Sequence, residues 1–393
     1  MSDMIVLPVG PQHPLLKEPV HFKFVLDGEK IVDVDMRLGY NHRGIEKATE
    51  SRTFLQDIYL LERICGICSY VHSTAFVQAV EEILKTEIPA RAKYLRVIVG
   101  ELERIHSHLL WFGVAGHEVG FDTLFMLSWR DREVVQDLLE LITGNRVNYS
   151  FNTIGGVRKD LLKDDIDQLV KGLKVLEEQI LYFAGVAQSE PTFVGRLKNV
   201  GHLTKEIAIS HCAVGPTARG SGVDIDVRRD FPYAAYAEIP FKVITSDLGD
   251  VLGRTLVRIG ELMESISIIR HALDHLPTGP ISVKVPRKVQ AGEAFARYEA
   301  PRGEVVHYVR ANGTDKPDRV KVRAPTLANW ASIRSTLLNQ NIADIPIIVA
   351  AIDPCLSCTD RTQVILKQDG SRKSETIDWK ELRKRALILK PLK

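Results

Sequence analysis

Four of the five cysteines in this chain fall into two C-x-x-C pairs, Cys65/Cys68 and Cys355/Cys358. That spacing lets two sulfurs converge on one metal, and two such pairs make a four-thiolate site of the kind soft or borderline metals favour. The first pair lies in Glu62-Arg63-Ile64-Cys65-Gly66-Ile67-Cys68, within an apolar, helix-patterned stretch. The second lies in Asp353-Pro354-Cys355-Leu356-Ser357-Cys358, directly after an apolar run. Three chemistries compete: a structural zinc staple, a redox dithiol, and a catalytic metal site. A thioredoxin-like setting is missing from both pairs, which weighs against the dithiol. Zinc staples usually join short local knuckles, whereas these pairs sit near opposite ends of a chain that needs no staple. Arg63 before one pair and Asp353 before the other read as groups that hold thiolates in place. The fifth cysteine, Cys212, stands alone and reads as a small buried hydrophobe.

The elements that must position these sulfurs follow from periodicity. Met4 to Val9 reads as a strand, and Val20–Leu26 and Ile31–Met36 alternate around the turn Asp27-Gly28-Glu29, which predicts a small antiparallel sheet. From Arg52 to about Leu141 the apolar period becomes helical, with further helical blocks over Leu161–Ala184 and Leu252–Leu273. Several of these are apolar on more than one face, as in a buried bundle. Glu304 to Val322 reads as strands around Asn312-Gly313. The expected fold is α+β: a mainly helical core with a small N-terminal antiparallel sheet and peripheral strands. It forms a single domain over 1–393, divided into a sheet region (1–50), a helical core (51–300), strands with the second cysteine pair (301–361), and a tail (362–393).

With 393 residues, 45% of them apolar, the chain can bury a large core, and a net charge of +2 argues against nucleic acid as the partner. No stretch reaches the roughly 18–20 apolar residues that span a bilayer, and no signal peptide pattern follows Met1. Basic residues crowd only near the end, at Lys380, Arg383, Lys384, Arg385, Lys390 and Lys393. They read as a solvated helix face, or as a contact with an acidic partner or membrane surface.

In this order, the motifs Gly10-Pro11-Gln12-His13-Pro14, Gly39-Tyr40-Asn41-His42-Arg43-Gly44-Ile45-Glu46, Arg63 to Cys68, Arg104-Ile105-His106-Ser107-His108, Gly215 to Gly222, Glu299-Ala300-Pro301-Arg302-Gly303 and Asp353 to Arg361 resemble those of [NiFe]-hydrogenase large subunits. The likeness is to the membrane-bound, energy-converting branch related to respiratory complex I. It implies a Ni–Fe cluster with carbon monoxide and cyanide on the iron. Cys68 and Cys358 would bridge both metals, and Cys65 and Cys355 would bind nickel alone. Hydrogen would be split heterolytically, its proton passing to the Cys355 thiolate. Arg302 would set a permanent cation beside the cluster, and Glu18 would carry the proton away.

The resemblance further implies a magnesium ion on Glu46. Relatives supply a His three residues after the last cysteine, where this chain has Arg361, so that cation is expected to replace the magnesium and pair with Glu46. Asp122, Asn145, Arg146 and Arg219 are further candidates near the site. Arg104, His106 and His108 read as lining a partner interface or a proton route, or as satisfied structural groups. An iron–sulfur small subunit must supply electrons, because no cysteines remain here for a second cluster. Membrane antiporter-like subunits would translocate ions, with this chain peripheral on the cytoplasmic side. The tail from Thr362 to Lys393, with Thr376 as the N-cap of a helix, is expected to be retained.

Overall fold

The computed structural model describes residues 4–360, so Arg361 and the tail with its expected helix lie outside the described residues. Strands β1 (Ile5–Val9), β2 (His21–Asp27) and β3 (Lys30–Arg37) form an antiparallel sheet in that order. Alternation sets its faces: Phe22, Phe24, Leu26, Ile31 and Val34 are buried, while Lys23, Asp33 and Asp35 face out. The loop between β1 and β2 carries Lys17 and Glu18.

Helices α1 (Ile45–Thr49), α2 (Phe54–Glu62), α3 (Ser69–Leu84), α4 (Ala90–Glu118) and α5 (Asp122–Thr143) follow. A capping box starts α2: the Thr53 hydroxyl accepts from the Gln56 backbone and the Gln56 side chain accepts from Thr53 N–H, worth about 1 kcal/mol. α4 is buried on nearly every face between Tyr94 and Gly116 and forms the central helix. A two-residue ribbon, β4 (Asn152–Thr153) with β5 (Gly156–Val157), leads to α6 (Lys163–Ser189). The short helices α7 (Pro191–Leu197), α8 (Lys205–Ser210), α9 (Gly215–Arg219) and α10 (Val227–Asp230) precede α11 (Val251–Asp274), which packs on α4 and α6.

A second antiparallel sheet, β6 (Gly292–Ala300), β7 (Gly303–Ala311) and β8 (Pro317–Arg323), lies against α3. β6 was not expected, because alanines carry three of its four inward positions, Ala294, Ala296 and Ala300, with Tyr298 the fourth, and alanine gives little strand signal. The chain ends its described part with α12 (Pro325–Leu337), α13 (Ile345–Ala351) and α14 (Leu356–Thr359). The apolar run at Ile345 thus folds as a helix, with Pro346 in its first turn.

The architecture is α+β, a helical bundle flanked by two small antiparallel sheets, as the sequence predicts. One hydrophobic cluster joins α4, α5, α6 and α11 to the first sheet; the other joins α2, α3 and the second sheet, and contains all four paired cysteines. No helix among the described residues is long and apolar enough to cross a membrane.

Candidate metal centre

Each cysteine pair rides on a helix start. Cys68 is the N-cap of α3 and Cys355 the N-cap of α14. The Cys65 sulfur accepts the N–H groups of Ile67 (3.3 Å) and Cys68 (3.4 Å), which folds the first pair into a tight turn. In the second loop Thr326 Oγ1 accepts from Cys355 N–H at 3.1 Å, and Thr359 donates to the Cys355 carbonyl at 2.8 Å. Cys65 and Cys355 approach to 3.4 Å between sulfurs, Cys355 and Cys358 to 2.8 Å, and Cys68 and Cys358 to 3.9 Å. All four are buried and none is in a disulfide.

So close a set of sulfurs cannot all ionise unaided. Thiols of Cys355, Cys358 and Cys68 donating to Cys65, together with the Arg302 cation, hold the Cys65 thiol well below its ordinary value. Burial pushes Cys358 up. Four buried sulfurs packed this closely, with a buried guanidinium beside them, are a donor set that a thiolate-bound metal cluster fits.

Arg302 supplies the fixed cation. It sits just past β6, buried, with Nε donating to the Asp353 carbonyl (2.8 Å) and Nη2 to Asp353 Oδ1 (2.9 Å). Its third nitrogen, Nη1, is buried with no hydrogen-bond partner among the described residues. Glu18 accepts from the Leu356 and Ser357 N–H groups and from the Ser357 hydroxyl, immediately after Cys355. A cavity of about 200 Å³ meets the centre here. Glu18, Cys65, Arg302 and Cys355 line it, with Leu16, Phe22, Trp111, Val114 and Trp330 as apolar walls. Its lining includes neither Cys68 nor Cys358. The Lys17–Glu118 ion pair, at 2.6 Å, belongs to the same wall.

Other expected residues fall elsewhere. Arg63 turns to the surface, donating to the Tyr59 carbonyl, and does not hold a thiolate. Arg43 takes that role: its guanidinium donates to the carbonyls of Arg63 (2.7 Å), Ile64 (2.6 Å) and Ser357 (3.4 Å), pinning both cysteine loops. Glu46 accepts from Val322 N–H and Lys321 Nζ, both at 3.0 Å. A carboxylate already engaged by an ammonium does not fit a magnesium site, and the expected pairing with Arg361 lies outside the described residues. Asp122 pairs with exposed His117, and Arg146 with Asp137 and Glu133 on α5. Asn145 caps back onto Thr143. Arg219 is buried among carboxylates on α9.

Arg104 grips the carbonyls of Glu299 and Ala300, and His108 bonds Glu261 at 2.8 Å. His106 is fully buried, and burial pushes its imidazole down to about 3. These three are interior groups. Cys212 is exposed, at φ +53°, contrary to the buried position expected for it. One neighbour escaped the sequence reading: His72, a turn after Cys68, lies with it and Cys358 within 4.8 Å, and its Nδ1 meets His307 Nε2 at 3.0 Å. The Cys68-x3-His72 spacing on one helix face was the available signal.

Comparison with known proteins bears on this geometry. Residues 118–290 and 283–361 match the model of the respiratory-chain NADH dehydrogenase 49 Kd subunit, and residues 43–115 that of nickel-dependent hydrogenase. The membrane-bound hydrogenase subunit alpha of Pyrococcus furiosus is 46% identical over 92% of this chain and 88% of its own length. The chain belongs to the [NiFe]-hydrogenase large-subunit family, in its membrane-bound, complex I-related branch. The carbon monoxide-induced hydrogenase of Rhodospirillum rubrum is 42% identical over 90% of this chain and 99% of its own. A solved structure of the membrane-bound sulfane sulfur reductase, described as an archaeal respiratory membrane complex, superposes with a TM-score of 0.87. It shares 33% identity, over 91% of this chain and 99% of that one. The relatives are thus oxidoreductase subunits of membrane-bound complexes, and the branch holds more than one reaction.

Proposed function

We propose that this chain is the catalytic subunit of an energy-converting [NiFe]-hydrogenase, reducing protons to hydrogen or oxidising hydrogen. One observation carries the reading: four buried sulfurs from distant loops converge near a buried guanidinium nitrogen that has no hydrogen-bond partner among the described residues. Cys65, Cys68, Cys355 and Cys358 would hold a Ni–Fe cluster, which supplies a Lewis-acid, redox-active centre for heterolytic cleavage of hydrogen when bound. Arg302, through Nη1, orients and polarises what binds at the open face. The Cys355 sulfur takes or gives the proton, and Glu18, hydrogen-bonded beside it, relays that proton along the cavity wall. Cys65 and Cys355 are the sulfurs that line the cavity, so they would face an incoming small molecule, while Cys68 and Cys358 would hold the cluster from behind. The apolar walls exclude water and admit a small uncharged gas.

The fifth cysteine is solitary and exposed, so electrons reach the centre through iron–sulfur clusters on a partner subunit. Antiporter-like membrane subunits would couple the reaction to ion translocation, with this chain on the cytoplasmic face. The likeness to the sulfane sulfur reductase favours a second reading, reduction of sulfur chains at the same centre. Metal analysis and infrared spectroscopy of the purified complex test the proposal. Stoichiometric nickel and iron with bands of iron-bound carbon monoxide and cyanide support it; stoichiometric zinc without nickel overturns it. Isotope exchange from deuterium gas, abolished by Cys355→Ser, separates the hydrogenase from a sulfur reductase, which would show none.

A further inference from the structure

Behind the cysteine centre lies a second polar assembly that the proposed chemistry does not use. Three guanidinium groups, Arg104, Arg219 and Arg228, are interlocked with four carboxyl groups, Glu101, Asp226, Glu261 and Glu299, and all seven are at most 2% exposed. The carboxyls are unequally served. Glu101 receives Arg104, Arg228, Tyr236 and Ser265. Asp226 takes two bonds from the Arg228 side chain, with Arg219 at 3.5 Å, and Glu261 receives Arg219 and His108. Glu299 has a single guanidinium, Arg219 at 2.9 Å, plus the Val227 N–H at 3.2 Å. It also faces like charge, because a cavity of about 170 Å³ is lined by Glu299, Asp226, Asp230 and Glu304. Exposed Asp230 and Phe231 also line it, which gives water a route to the Glu299 carboxyl and to Asp226, the latter held by two Arg228 bonds. Burial, with the neighbouring Asp226 charge, pushes the Glu299 carboxyl up to about 7.

Glu299 is also a mechanical tie. Its strand, β6, runs directly into Arg302, and its carboxyl bonds the last residue of α9, Arg219. The first residue of α9, Gly215, presses on the same loop: a Cβ there would lie 2.4 Å from the Arg302 carbonyl oxygen. Arg104 of α4 holds the Glu299 and Ala300 carbonyls, and the Tyr233 hydroxyl accepts from Glu299 N–H at 3.2 Å. From α10 and its cap come Arg228 and Asp226, from α11 Glu261, and from β7 Glu304. The Arg219–Glu299 bond thus closes the α9–β6 seam at one end while Gly215 abuts Arg302 at the other.

We propose that Glu299 is a protonatable positioning residue, which by exchanging a proton through its own cavity tightens or loosens the seam that holds Arg302. Ionised, it completes a charged pair with Arg219; protonated, it leaves a weaker neutral bond. The catalytic consequence rests on the role proposed for Arg302, while the proton and the seam do not. The test uses the full chain in its complex. Amide exchange at Gly215, Arg302 and Gly303, corrected for intrinsic rates, should be roughly fivefold faster at about pH 6 than at about pH 8. A carboxyl infrared component titrating over the same range should vanish in E299Q and persist in E304Q. Seam protection that does not change with pH overturns the proposal, as does an E299Q protein that keeps both signals. Should E299Q not fold, the wild-type seam titration alone decides. In the loaded complex, E299Q should also flatten the pH profile of isotope exchange. Loss of the seam signal with an unchanged profile would leave Glu299 as assigned and remove Arg302 from the catalytic machinery.

Discussion

Arg302→Lys separates the fork of a guanidinium from its charge. Arg302 has three nitrogens: Nε and Nη2 are committed to Asp353, at 2.8 and 2.9 Å, and only Nη1 is left for the cysteine centre. A lysine ammonium is a single point. If it stays with Asp353 it withdraws from the sulfurs, and if it reaches the sulfurs it abandons a buried carboxylate. The charge survives, so Asp353 is not left bare, and the stability loss should stay below the roughly 3–5 kcal/mol of a broken buried pair. What disappears is one preorganised charged donor, which costs about 10²–10³ in rate, or about 3–4 kcal/mol of transition-state stabilisation. The measurement is isotope exchange from deuterium gas by the assembled complex, with nickel and iron content determined on the same sample. Full metal content with exchange within about threefold of wild type would refute the reasoning.

Asp57 on α2 is fully buried, and neither of its carboxyl oxygens has a hydrogen-bond partner among the described residues. Burial pushes this carboxyl up to about 8 from an ordinary 3.8. The folded chain therefore keeps a proton the unfolded chain has lost, and stability falls as pH rises between those values. Asp57→Asn should stabilise by about 1–3 kcal/mol near pH 8 and by much less near pH 4; urea unfolding showing an equal gain at both would contradict this. Gly215→Ala forces a side chain to φ +63° against the Arg302 carbonyl, and should cost about 2–4 kcal/mol through backbone strain and overpacking. An unchanged unfolding midpoint would show the seam to be loose. In the folded chain a thiol reagent too large for the cavity should modify one cysteine, exposed Cys212, and leave the four buried ones untouched; peptide mapping that finds label on Cys68 or Cys358, which lie off the cavity, would contradict their burial.

Much of the fold was legible because its signals are local. The periods of α4, α6 and α11 and the alternation of β2 and β3 show in consecutive side chains. β6 was not legible, because three of its four inward residues are alanines, Tyr298 being the fourth, and only pairing with β7 makes it a strand. The orientation of Arg63 was equally hidden: sequence adjacency to Cys65 says nothing about which way a helix C-cap residue turns.

The sequence by itself determined the chemistry on offer: four thiols in two pairs, a guanidinium in an Ala-Pro-Arg-Gly turn, and an acid in a loop ahead of a strand. Tertiary structure decided how that chemistry is arranged. It set Cys65 and Cys355 on the cavity and left Cys68 and Cys358 out of its lining, and it gave the pinning of both loops to Arg43. It also placed His72 on His307 and drew Glu299 into a network behind Arg302. The reason is physical: spacing along a chain constrains neighbours within a turn or two, whereas contacts between distant segments follow from how the helices and the second sheet pack.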